Sequence, residues 1–124
     1  MALSYRIHES ANHPEGIAVI RFNEKVLSQS LEDGFRNILG ILSLKRIRHI
    51  VLDLSNAASL DSFFIALLVQ VYKDLKPVGG HVALAGVGKN LKDVLRTVRL
   101  DDFLPVYDSL VEAIEHVEEY ENSK

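Results

Sequence analysis

Asp61-Ser62 stands where an apolar strand passes through a loop of small residues into a very apolar helix. A hydroxyl at such a junction has three possible uses: a helix cap, a nucleophile, or a group that another protein modifies. Serine and aspartate are leading N-cap residues, and capping alone would explain the pair. A nucleophilic serine needs a base within hydrogen-bond reach and a third group that orients the base. The sequence has no Gly-x-Ser-x-Gly elbow, and His49 and His81 each begin a strand, which puts them at the far end of a sheet from this junction. A phosphate on Ser62 would meet the positive end of the helix and its free backbone N–H groups, so the fold could carry the modification. Phe63, next in the chain, falls on the polar side of the helical wheel. An exposed aromatic beside a functional loop points to a protein contact.

The other candidates are weaker. Asp53 closes a strand in the way of a phosphoaccepting aspartate, but the acidic residues and the lysine that such chemistry uses elsewhere are missing; a carboxylate bonded to the loop N–H groups below it fits better. Gly86-Val87-Gly88-Lys89 lacks the spacing of a phosphate-binding loop and reads as a turn. Lys89, Lys92, Arg96 and Arg99 make a basic stripe, either a solvated face or an attraction for an acidic partner. The five histidines are scattered without close pairing and read as surface or packing residues. No catalytic residue, metal ligand or cofactor site is indicated.

Composition narrows the class. A chain of 124 residues, 48% hydrophobic, fits one domain over 1–124 with a sizeable core. It has no cysteine, hence no disulfide framework or thiolate metal site. No leader-like or membrane-spanning stretch is visible, and a cytoplasmic setting is expected. A net charge of -3 offers no broad basic field, so neither nucleic acid nor membrane is an expected partner.

The elements that must position Asp61-Ser62 follow from periodicity. Ser4 to Glu9 and Gly16 to Phe22 read as a hairpin around Asn12-His13-Pro14-Glu15-Gly16. Val26-Leu27 is a short extended piece before a helix capped by Ser30, with Leu31, Phe35, Ile38, Leu39 and Leu42 on one face. His49 to Leu54 is apolar on both faces, as a central strand would be. From Ser62, Phe64, Leu67, Leu68, Val71, Tyr72 and Leu75 share one helical face, and Pro77 with Gly79-Gly80 ends the helix. His81 to Ala85 is a further strand, followed by a helix with Leu91, Val94, Leu95 and Val98 inward. Phe103 to Tyr107 reads as an edge segment, because Pro105 cannot donate to a ladder. Ser109 and Glu112 make a capping box for a last helix burying Leu110, Ala113, Ile114 and Val117. The expected fold is α/β: a mixed, mostly parallel sheet of about five strands with four helices, and the loops after Leu54, Ala85 and Val106 on one edge.

The chain resembles a STAS domain of the bacterial anti-sigma factor antagonist type. The resemblance rests on Val51-Leu52-Asp53-Leu54-Ser55, Leu60-Asp61-Ser62, Leu75-Lys76-Pro77-Val78-Gly79-Gly80, Leu84-Ala85-Gly86-Val87 with Val94-Leu95, Leu100-Asp101-Asp102-Phe103, and Asp108-Ser109-Leu110 with Ala113. It implies that Ser62 is phosphorylated by a serine kinase that is itself the anti-sigma factor, and that a PP2C-type phosphatase reverses this. It also implies a non-enzymatic, partner-binding surface, assigned here to Asp61, Ser62, Phe63, Gly86 and Lys89. Two departures stand out: Phe63-Phe64 replaces the small residues that usually follow the phosphosite, and Arg99 replaces a glycine that often precedes Leu100-Asp101. The alternatives are a STAS scaffold or sensing module with no phosphorylation cycle, and a small hydrolase using Ser62.

Overall fold

A computed structural model describes residues 2–119. Strands β1 (Leu3–His8) and β2 (Ile17–Phe22) form the expected antiparallel hairpin, and β4 (His49–Asp53), β6 (His81–Ala85) and β7 (Val106–Tyr107) extend it in parallel, in the order β1-β2-β4-β6-β7. A second, two-stranded sheet pairs β3 (Val26–Leu27) in parallel with β5 (Ser59–Leu60). That small sheet was not expected from two-residue pieces too short to show periodicity.

The helices are α1 (Glu32–Leu44), α2 (Ser62–Leu75), α3 (Lys89–Thr97) and α4 (Leu110–Glu119). β4 is buried along its whole length because helices cover both faces of the sheet. On one face Ile20, Phe22, Ile50, Leu52 and Leu84 pack with side chains from α1, α2 and α3. Phe22, Phe35 and Phe64 meet there, with Phe22 edge-on to both others at ring distances of 5.3 and 5.4 Å. On the other face Val19, Val51 and Ala83 receive Ala113 and Val117 of α4. The small alanines of β6 let this single helix lie close.

Four local expectations are corrected. Ser30 does not cap α1: the chain enters through a tight turn at Gln29–Leu31, the cap of that turn is Ser28, and the Ser30 hydroxyl lies 2.8 Å from that of Ser28. Val94 and Val98 do not face inward, being 37% and 43% exposed, because α3 is shallowly seated and buries only Leu91 and Leu95. The edge strand covers only Val106–Tyr107, since a turn at Leu100–Asp102 precedes it and Phe103 packs its ring on Tyr72 instead. The histidines are not all scattered: His13 and His49 have ring centroids 3.8 Å apart, and His49 stands beside His81 in register.

The C-terminal helix begins as the sequence indicated. Ser109 Oγ accepts the Glu112 amide at 3.1 Å.

Candidate functional site

The carboxyl ends of β4 and β6 lie side by side, with Asp53 opposite Ala85, and the Leu54 amide donates to the Ala85 carbonyl at 2.9 Å. Gly86, directly after β6, has φ +70°, and a Cβ there would sit 2.9 Å from the Cβ of Ser55. Only glycine fits both the backbone angle and the contact. The loops after the two strands are therefore packed against each other, as parallel crossovers require. Asp53 is buried in the first of them and accepts from both the amide and the hydroxyl of Ser55, at 3.1 and 2.7 Å. It is a loop brace.

Asp61 and Ser62 divide their work. Asp61 is the N-cap of α2, with extended backbone and its Oδ1 accepting the Phe64 amide at 2.8 Å. Its Oδ2 accepts the Gln29 amide at 3.3 Å, and its own amide donates to the Leu27 carbonyl at 2.9 Å. One residue thus joins α2 to the small β3–β5 sheet and to the turn before α1. Ser62 is the first residue of the helix, exposed, and its hydroxyl has no hydrogen-bond partner among the described residues. With the amides of Phe64 and Ile65 taken by Asp61, those of Ser62 and Phe63 remain at the positive end of the helix without a partner among the described residues.

Phe63 is 40% exposed while Phe64 is fully buried, so the adjacent pair splits between solvent and core. Lys89 opens α3 in solvent. The remaining basic stripe is largely neutralised within the chain: Lys92 pairs with Asp108, Arg96 with Asp93 at 3.7 Å, and Arg99 with Asp102 at 3.0 Å. Asp93 and Asp102 lie three residues from their partners, on the helix and across the turn, and Asp108 comes from the loop after β7, none of which a helical wheel of basic residues alone reveals. Lys89 is the member of the stripe outside these pairs.

Among the described residues the strand-end histidines are not placed to act as a base for Ser62. His8, His13, His49 and His81 lie at the opposite end of the sheet, at or beside the amino ends of β2, β4 and β6, and His116 stacks on Tyr107 with ring centroids 4.6 Å apart. His49 is pushed down to about 4, first by burial and then by the neighbouring His13, His81 and Arg48; burial and His13 lower His81 as well. Among the described residues no group of side chains could hold a metal ion, and no helix is long and apolar enough to cross a membrane.

Comparisons agree with this geometry. A family model of the STAS domain matches residues 9–113. A Thermotoga neapolitana protein provisionally named an anti-sigma factor antagonist is 35% identical over 97 residues, which span 78% of this chain and 75% of the relative. The solution structure of the Thermotoga maritima protein TM1081 is 26% identical and superposes with a TM-score of 0.79, covering 97% of this chain and 90% of the other. The Bacillus cell fate determinant SpoIIAA in its phosphorylated form, at 16% identity, shares the fold with a TM-score of 0.65 over 92% and 99% of the two chains. On the match to residues 9–113, and with strand order and loop placement as described, this chain belongs to the STAS domain family.

Proposed function

We propose that this chain is an anti-sigma factor antagonist: a non-enzymatic regulator whose binding to a kinase-type anti-sigma factor is switched by phosphate on Ser62. The observation that carries this reading is the division between Asp61 and Ser62. Because Asp61 alone caps α2, the serine hydroxyl is structurally unoccupied, exposed, and next to N–H groups that favour an anion. The fold tolerates modification there, while a partner packed against Ser62 and Phe63 would meet a strongly hydrated dianion.

The relative's name supports the partner class, and the phosphorylated form of SpoIIAA shows that this fold can carry a phosphate. In the proposed contact Asp61, Phe63, Gly86 and Lys89 act with the serine: Gly86 sets the loop, Phe63 supplies apolar area, and Lys89 supplies a charge. A PP2C-type phosphatase would return the protein to its binding form.

Mass spectrometry of protein purified from its native host tests the cycle. Phosphate localised to Ser62 in a fraction of molecules is the expected result. Its absence under every growth condition, with partner binding intact, would favour a STAS scaffold or sensing module without a phosphorylation cycle. Labelling of Ser62 by active-serine probes would favour hydrolysis instead.

A further inference from the structure

The two edges of the main sheet are built differently. β7 is two residues long and follows Pro105, so that edge offers little backbone to another chain. The other edge is β1, six residues paired to β2 in unbroken register and without a proline. The Asn23 amide donates to the Ala2 carbonyl at 2.7 Å, which makes this pair, next in register after Leu3 and Phe22, a directly bonded one. Bonded pairs alternate along an antiparallel ladder. Ser4, Arg6 and His8 therefore turn their backbone groups toward β2. Leu3, Tyr5 and Ile7 turn theirs away from the sheet, where no other group among the described residues bonds to them.

The same three residues share a face. They stand opposite Phe22, Ile20 and Ala18, on the side of the sheet that α1 covers. That cover stops at Leu3, which is buried under α1; a Cβ at Gly34 would sit 3.0 Å from its Cδ1. Beyond it Tyr5 and Ile7 stay 37% and 40% exposed. An edge strand of this length, with outward backbone groups and exposed apolar side chains, is a template for another strand.

We infer that the strand added here is β1 of a second copy, running antiparallel about a two-fold axis at Tyr5. The chemistry of β1 fits itself in that register. Leu3 of one copy then lies opposite Ile7 of the other and Tyr5 opposite Tyr5, and these are the residues whose backbone groups point outward to exchange bonds. On the other face Ser4 lies opposite Arg6, a hydroxyl against a guanidinium. Centring the axis on Arg6 instead would set two guanidinium groups against each other at the closer, non-bonded spacing, where like charges repel. The antiparallel join points the carboxyl ends of β4 and β6 of the two copies in opposite directions. Both Ser62 surfaces stay open, and the dimer offers one at each end.

Sedimentation of the full chain from micromolar to millimolar concentration tests this. One strand edge is a small interface, so the expected dimer is weak, forming at high micromolar to millimolar concentration. Tyr5→Lys places two ammonium groups on the axis and should weaken it about tenfold, while the melting temperature of the dilute, exposed-site variant holds. Ser4→Glu meets Arg6 of the other copy on both sides of the axis and should tighten the dimer about threefold. The chain has no cysteine, so single cysteines report the register. Directly bonded pairs have Cα atoms about 5.5 Å apart, within disulfide reach, so mild oxidation should link copies of Tyr5→Cys in preference to Arg6→Cys. A wild type that stays monomeric at millimolar concentration would overturn the inference and leave the edge to an extended segment of another protein. A dimer that Tyr5→Lys leaves intact, that Ser4→Glu does not tighten, or that links preferentially through Arg6→Cys would overturn it too. None of these outcomes depends on whether Ser62 is phosphorylated.

Discussion

The carboxylate of Asp61 accepts the amide of Phe64 at 2.8 Å, and the hydroxyl of Ser62 between them takes no part. The cap therefore belongs to Asp61. Asp61→Ala should lower stability by ~0.5 to 2 kcal/mol, because the Phe64 and Gln29 amides both lose an acceptor. Ser62→Ala, an exposed change outside any cap, should stay within about 0.5 kcal/mol of wild type. Thermal or denaturant melts of the two variants check this; a larger loss for Ser62→Ala would return the capping role to the serine.

Phe63 is the second place where structure and partner binding should separate. With its ring two-fifths exposed, Phe63→Ala should cost far less than the ~3 to 5 kcal/mol of a buried phenylalanine, which is the loss expected for Phe64→Ala. Binding to the partner should weaken in the Phe63 variant. A large fall in melting temperature with unchanged binding would make Phe63 ordinary core.

Arg99 has φ +64°, where an L side chain is strained and glycine is not. Its ion pair with Asp102 is exposed on both sides and contributes little. Arg99→Gly should raise stability by roughly 0.5 to 1 kcal/mol, read as a higher denaturation midpoint at unchanged slope. A lower midpoint would mean that the Arg99 side chain supports the turn at Leu100–Asp102.

The histidines at the amino ends of the strands make the fold acid-sensitive. His49 has its folded-state value lowered to about 4 from an ordinary 6.5, so between those values the unfolded chain binds more protons than the native one. Stability therefore falls as pH drops from about 6.5 toward 4. His81 is shifted in the same direction and adds to the slope. Melts at pH 7, 6, 5 and 4.5 should show the decline, and His49→Gln should flatten it in part. An unchanged slope in that variant would place the sensitivity elsewhere.

Much of this architecture could be read from periodicity. Leu31, Phe35, Ile38 and Leu42 at helical spacing do bury one face of α1, and the unbroken apolar run of β4 does lie between two layers. The edge bearing Asp53, Ser55 and Gly86 followed from the parallel crossovers. What local pattern could not show was partnership across the fold. Asp61 bonds to Gln29 through the β3–β5 sheet, a pairing made of two residues from each strand. His13 reaches His49 and the Val117 carbonyl only because the hairpin loop folds against the end of α4. Val94 and Val98 carry the hydrophobic spacing of a buried face, yet the depth at which a helix is seated is set by its neighbours. At Arg99 the departure from the family's glycine was visible in the sequence, and the positive φ supplies its physical meaning.

The most direct test of the phosphoswitch is a binding titration of wild type, Ser62→Ala and Ser62→Asp against the cognate kinase-type anti-sigma factor, alongside melts of all three. All three should stay folded, since Asp61 keeps the cap and an acidic residue suits the first turn of a helix. Wild type and Ser62→Ala should bind alike, only wild type should incorporate phosphate, and Ser62→Asp should lose at least about tenfold in affinity, the scale of one buried, unpaired charge. Equal affinity across the three proteins, with no phosphate taken up by wild type, would contradict the switch.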